Sequence, residues 1–270
     1  MIEAAFSQAM AEAGLVLSGS IIADGKFHRF PVAGDKQGKT SGWYILHADG
    51  IPFGAFGNWK TGIKGTWSAK KKSDLTAAES KEQEQRIEAV RKAREEEDKA
   101  AKQAAREKAV DIWQTANPAS ESHFYLIRKG VKNHGLRVSK AALVVPLYDS
   151  AGILHSLHFI DSKGNKRFLS GGRIKGCYFS IGEPTNTICI AEGYATAASI
   201  YEATGYAVAA ALSAVNLLPV AMSLRERYPA VKIIVCADND INTPNNPGLN
   251  SARKAAAAVD AFLTFPECKP

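Results

Sequence analysis

Apolar residues in the last third of the chain fall in short unbroken runs. Residues 187–191 (TICIA), 207–212 (AVAAAL) and 232–237 (KIIVCA) have the length and composition of strands buried on both faces. The segments between and after them, 194–204, 216–228 and 248–262, read as helices. A β-α-β-α-β-α order predicts an α/β fold with a parallel sheet and helices on both faces. Upstream, 143–148 and 153–160 read as two further strands in a β-rich stretch that begins after Asn117 and Pro118.

Nearer the N-terminus the pattern changes twice. From residue 73 to 115 there is no Gly or Pro, and Ala, Glu, Lys, Arg and Gln dominate, as a long exposed helix requires. Ser73 suits its N-cap, and Asp74 and Glu79 suit the positive end of its dipole. Its apolar residues are sparse and mainly Ala until Val110, Ile112 and Trp113. With no sustained heptads, a solvated spacer fits better than a coiled coil. Before it, aromatic and alternating runs at 42–47 and 51–59, joined by a turn at 48–50, predict a small β-rich module preceded by a helix over 2–13. The expected organisation is therefore an N-terminal β-rich module (1–72), a linker helix (73–117), a β-rich basic segment (118–186) and the α/β domain (187–270).

Composition narrows the class. At 270 residues, 46% hydrophobic and 23% charged, the chain reads as ordinary globular protein. No apolar run approaches bilayer length and no signal segment opens the chain, so a cytoplasmic protein with no membrane partner is expected. Cys177, Cys189, Cys236 and Cys268 form no CxxC pair and have no nearby His partners, which excludes a zinc ribbon or a disulfide framework. A formal charge of +7 favours a polyanionic partner such as nucleic acid.

In open α/β sheets, ligands bind beyond the carboxyl ends of the strands. The first strand runs into Glu192-Gly193-Tyr194 and the third into Asp238-Asn239-Asp240. If those strands are neighbours, Glu192, Asp238 and Asp240 share one small volume. Three carboxylates there repel one another unless a cation sits among them. Hard oxygen ligands select Mg²⁺ or Mn²⁺, and the chemistry that uses this arrangement is transfer or cleavage at phosphorus. Each feature also has a bland reading, Glu192 as partner of a helix dipole and 238–240 as a polar turn. Both acids following apolar strands, one α-β-α unit apart, favours the joint site.

The segment Ile190-Ala191-Glu192-Gly193-Tyr194-Ala195-Thr196-Ala197, followed by Val235-Cys236-Ala237-Asp238-Asn239-Asp240, resembles the Toprim fold, specifically the Toprim primases of plasmids and phages, mobile-element enzymes of DNA replication. The stretches VPLYD (145–149), LHFI (157–160), KRFL (166–169), GGRIKG (171–176) and PGLNSA (247–252) extend the resemblance, as do 30–32 and 59–62 in the N-terminal module. It implies Mg²⁺ or Mn²⁺ at Glu192, Asp238 and Asp240, a proton-transfer role for Glu192, and nucleotidyl transfer that makes short RNA primers on single-stranded DNA. The partners implied are the template, nucleoside triphosphates and a replicative helicase. A Toprim nuclease and a non-catalytic single-stranded DNA-binding or regulatory protein are the alternatives. Where bacterial DnaG-type primases carry a further acid after the Glu-Gly-Tyr motif, this chain has Thr196.

Positive side chains flank the acids in sequence. Lys163, Lys166, Arg167, Arg173 and Lys175 crowd around Gly171-Gly172, where a hairpin could hold nucleotide or template phosphate. Arg128 and Lys129, with Lys132, His134 and Arg137, form a second patch suited to a template backbone or to a solvated turn. In the N-terminal module, Trp43, Tyr44, Phe53, Phe56, Trp59 and Trp67 interleave with Arg29, Lys36, Lys39, Lys60 and Lys64, a composition that suits base stacking. Most of those rings must build the module's core; Trp59, beside Lys60, is the candidate for single-stranded DNA stacking.

Overall fold

The computed structural model describes residues 2–35, 37–70, 74–239, 241 and 243–266. Ser73, Lys36, Asp240 and Cys268 lie outside them. The chain divides into two compact units, Met1–Arg94 and Glu95–Pro270. Among the described residues no helix is long and apolar enough to cross a membrane.

In the first unit, helix α1 (Ile2–Glu12) packs on an antiparallel sheet of β1 (His28–Phe30), β2 (Gly42–His47), β3 (Phe53–Asn58) and β4 (Lys64–Ser68), in the order β1-β2-β3-β4. Burial alternates along β2, so Tyr44 and Leu46 face the core while Trp43 and Ile45 face away. Phe6 of α1 meets Tyr44, Phe56 and Trp67 edge-on at 6.0, 5.8 and 5.7 Å. Gly54 makes that approach possible, because a Cβ there would stand 2.5 Å from the Phe6 ring.

Helix α2 (Ala77–Thr115) begins at a capping box: the Thr76 hydroxyl accepts from the Glu79 amide and the Glu79 carboxylate accepts from the Thr76 amide. The helix is more than a spacer at its far end. Ala109 is fully buried, and with Val110, Ile112 and Trp113 it covers Val144, Leu157 and Phe159 of the second unit's first sheet. The sequence hides this face because its inner residues are largely Ala, which reads simply as a helix former.

That sheet runs β5 (Asn117–Pro118), β6 (Arg137–Ser139), β7 (Ala142–Tyr148), β8 (Leu154–Ile160) and β9 (Lys166–Phe168), antiparallel throughout, with helix α3 (Phe124–Lys129) between β5 and β6. A second sheet is built from β10 (Phe179–Ile181), β11 (Thr187–Ala191), β12 (Ala207–Ala210), β13 (Lys232–Cys236) and β14 (Phe262–Thr264), in the order β10-β12-β11-β13-β14. Strands β11 to β14 are parallel, and β10 adds an antiparallel edge. Helices α4 (Tyr194–Thr204), α5 (Leu217–Arg227) and α6 (Pro247–Ala258) connect them.

The expected sixth element is shorter than its pattern suggests. A helix over 248–262 is not what forms: α6 stops at Ala258, Asp260 takes φ 48°, and residues 262–264 pair with β13 as an edge strand. Arg225 secures this corner by donating to the carbonyls of Val259, Val231 and Pro229.

Two cores flank the second sheet. Tyr194, Ala197 and Ala198 of α4 pack on one face together with Leu143, Val145, Leu147 and Ile160 from the first sheet. Leu217, Val220 and Leu224 of α5 and Leu249, Ala252 and Ala255 of α6 pack on the other. The helices that follow β11 and β13 therefore leave toward opposite faces. That opens a crevice between the carboxyl ends of two neighbouring strands, the topological switch point of this sheet.

Candidate active site

The crevice is built by register. Ala191 pairs with Cys236 across parallel β11 and β13, so Glu192 and Ala237 are the next residues of each strand and Asp238 follows one step on. The Ala237 amide donates to the Thr264 carbonyl at 2.8 Å, which keeps the chain extended up to the acid. Asn239, next in the chain, is held on two sides. Asn239 donates to the Pro266 carbonyl at 3.0 Å, and Asn246, whose side chain caps α6, donates to Asn239 at 2.8 Å.

Asp238 lies within 3.5 Å of the Thr196 hydroxyl on the first turn of α4. Thr196, which stands where DnaG-type primases carry a further acid, thus sits against one of the predicted acids. Glu192 and Asp238 are both partly buried. Hard carboxylate oxygens at adjacent strand ends are a donor set that fits a divalent cation. Among the described residues there is no group of three His, Cys, Asp or Glu that could hold a metal, and Asp240, the third expected ligand, is outside those residues.

Gly193 is the N-cap of α4, with φ −109° and ψ 157°, a conformation open to any residue. The entry into α4 therefore makes no use of this glycine's access to positive φ. A Cβ there would meet only the Lys166 ammonium at 3.8 Å and the Thr196 hydroxyl at 3.9 Å, ordinary contacts. The fold does not require glycine at this position, and its small size leaves the positive end of α4 open beside a lysine.

The predicted basic patch splits. In β9, Lys166 pairs with Ile160 and lies on the face that adjoins α4, whereas Arg167 pairs with Phe159 and stacks on its ring at 4.4 Å on the opposite face. Arg173 reaches Asp149 at 3.4 Å, and Lys175 is exposed. Asp149 also accepts from His155 at 2.8 Å and from the amides of Ala151 and Ile153. Burial pushes the Asp149 carboxyl upward, but the Ile153 amide, His155 and the Ala151 amide outweigh it and hold the group below its ordinary value. Arg128 donates to the Lys163 carbonyl at 3.0 Å, so the second basic patch leans on the hairpin of the first, with Lys129 exposed. Arg137 donates to the Trp113 carbonyl at 2.6 Å and stacks on its ring at 4.6 Å, fastening α2 to the sheet.

Three residues that sequence reasoning passed over shape the site from behind. The Tyr194 hydroxyl donates to the Lys132 carbonyl at 2.8 Å and accepts from the His134 amide at 3.1 Å. Burial raises its pKa. This clamps the segment before β6 to the start of α4, and His134 adds a 2.8 Å contact with Glu202 of the same helix. Buried Asn216 accepts from the Gly176 amide and donates to the carbonyls of Cys177 and Ala211, joining the lead-in to β10 to the end of β12. His158 is 3% exposed, packs on Phe168 at 4.6 Å, and shares a face with Lys166. A tyrosine in a motif, a lone Asn and a lone His carry no spacing signal that would have revealed these roles. In the first unit, Trp59, the candidate stacking ring, is 55% exposed.

With this geometry in place, residues 187–267 match the family model of the Toprim domain. The chain is 33% identical over 280 residues to a DNA primase TraC of Escherichia coli, an alignment that covers 98% of this chain and 26% of that protein. A second DNA primase TraC of Escherichia coli is 32% identical over 282 residues, covering 98% of this chain and 19% of the relative. The chain thus spans about a quarter or less of the length of these relatives. Among solved structures, the primase fragment of the bacteriophage T7 primase-helicase protein aligns with 57% of this chain and 71% of its own, at 15% identity and a TM-score of 0.42.

Proposed function

We propose that this chain, whose residues 187–267 form a Toprim domain, carries the nucleotidyl-transfer centre of a DNA primase that makes short RNA primers on single-stranded DNA. The observation that carries this reading is the pairing of β11 with β13, which sets Glu192 and Asp238 at adjacent strand ends beside the open N-terminus of α4 and the Lys166 ammonium. The DNA primases to which the chain is similar add to it.

On this reading Glu192, Asp238 and Asp240 hold Mg²⁺ or Mn²⁺. What such an ion supplies when bound is neutralisation of phosphate charge around the displacement at phosphorus. Glu192 accepts the proton of the attacking 3′-hydroxyl, the new bond forms at the α-phosphate of the incoming ribonucleotide, and pyrophosphate leaves. Lys166 and the first amides of α4 bind phosphate oxygens of the incoming nucleotide. Lys129, Lys175 and Arg173 lie on surfaces available to the template backbone, and the exposed Arg128 and Arg167, oriented by the Lys163 carbonyl and the Phe159 ring, add charge there.

A template-directed assay with labelled ribonucleotides tests this. We expect metal-dependent oligoribonucleotides that Asp238→Ala or Glu192→Gln reduces by at least about a hundredfold, the scale of lost electrostatic or acid-base catalysis. No metal-dependent product, or undiminished product from both variants, refutes the assignment. Fragments from single-stranded DNA incubated with Mn²⁺ and no nucleotides would identify a nuclease instead.

A further inference from the structure

We infer that the outer face of the N-terminal sheet is a second nucleic-acid site, a platform on which bases of single-stranded DNA stack. The inference does not rest on the acids of the Toprim domain.

Register carries it. Arg29 pairs with Trp43, Trp43 with Gly57 and Gly57 with Lys64, so these four residues form one row across β1 to β4. Their neighbours Tyr44 and Phe56 point into the core, which sets the row on the opposite face. The Trp43 ring lies over Gly57, where a Cβ would be 2.8 Å from it. Phe27 stacks on Trp43 at 5.4 Å with 17° between planes, and Trp59 lies 5.6 Å from Trp43 at a tilt of 35°. Trp59 is more than half exposed.

Along the same face the row gives way to Ile45, Ala55 and Thr66, and then to His47 stacked on Phe53 at 4.6 Å. A groove of about 520 Å³ opens there, walled by Ile87 and Arg91 of α2. Its size falls in the range of pockets that take small ring systems.

Charge selects the occupant. The row carries Arg29 and Lys64 at its ends and no carboxylate, and Lys60 is fixed beside Trp59 by donating to the Gly34 carbonyl at 2.6 Å. Clustered rings flanked by cations match a strand that offers base faces and phosphates together, the pairing by which single-stranded nucleic acid is held. A duplex hides its base faces and leaves the rings unused.

The test is binding of a labelled oligothymidylate of about twelve nucleotides, within the span of one such site, to the full chain in EDTA without nucleotides, read by fluorescence anisotropy. We expect Trp59→Ala to weaken binding about tenfold and Trp59→Phe to restore most of it, because stacking needs a ring. Arg29→Gln should weaken binding and lower the salt slope by about one charge. Circular dichroism checks that each variant is folded. Wild-type affinity in Trp59→Ala, or equal affinity for a duplex of the same length, overturns the platform. Loss of primer synthesis with Trp59-dependent binding intact would instead sink the primase reading alone.

Discussion

Replacing His158 with Leu should remove a large part of the acid sensitivity of the second unit. His158 is almost fully buried against Phe168, its Nδ1 has no hydrogen-bond partner, and it shares a face with Lys166. Burial first, and the Lys166 charge second, press its pKa down to about 4 from an ordinary 6.5. The folded state therefore takes up the proton at lower pH than the unfolded state. Above pH 6.5 both states hold a neutral ring and the group contributes nothing. As pH falls from 6.5 toward 4, the unfolded chain binds the proton and the folded chain does not, so stability drops. At 1.36 kcal/mol per pH unit the full loss is about 3 kcal/mol, most of it present by about pH 4.5. The assay is urea unfolding between pH 7 and 4.5, followed by circular dichroism, with hydrogen exchange at residues 154–160 to localise the effect. The variant should match the wild type within about 1 kcal/mol at pH 7, since removing an unsatisfied buried nitrogen offsets some lost packing. It should then exceed the wild type by about 2 to 3 kcal/mol at pH 4.5. Parallel pH profiles for the two proteins would refute the placement of a neutral histidine in this core.

Two further substitutions probe the supports of the crevice. Asn216→Ala removes three hydrogen bonds, two of them buried, and leaves the Gly176 amide and the carbonyls of Cys177 and Ala211 to find other partners; a loss of about 2 to 4 kcal/mol in urea unfolding is expected. Tyr194→Phe keeps the buried ring but drops both hydroxyl bonds to the segment before β6, at about 1 to 2 kcal/mol, with faster hydrogen exchange at residues 132–134 as its signature.

What could be read from the sequence was what short-range pattern determines. Four apolar residues before Glu192 and five before Asp238 marked these acids as strand-end residues, because a buried strand leaves little freedom in where its end lies. That β11 lies between β12 and β13 is a tertiary choice, and no local signal states it. Strand β14 was hidden for a related reason: three residues on a sheet edge, with Phe262 packed under the Lys232 ammonium at 4.4 Å, look like the tail of the Ala-rich helix before them. The hairpin basic residues were read as one patch because KRF is too short to display a period of two. Pairing with Phe159 then sends Arg167 to the face away from Lys166. Arg137 and Arg225 look like surface charge in a sequence, yet each binds backbone carbonyls at an element end.

Gly193 separates the demands of the fold from those of the site, and Gly193→Ser puts the two in opposition. The backbone at the α4 N-cap is extended at φ −109° and ψ 157°, where serine is among the preferred residues, and the space around a Cβ there is ordinary. Serine would also bring a hydroxyl able to accept from an amide of the first helical turn, which glycine cannot do. On folding grounds the variant should be as stable as the wild type or a few tenths of a kcal/mol more stable. If phosphate approaches the bare helix end beside Lys166, that hydroxyl occupies amides the ligand needs, and a hydrogen bond to an anion is stronger than one to a neutral group. The Michaelis constant for nucleoside triphosphate in primer synthesis should then rise about tenfold or more, while thermal unfolding shows no loss. A variant that is both stable and unchanged in nucleotide dependence would mean that phosphate does not use this helix end, and Lys166 would have to bind it from another side.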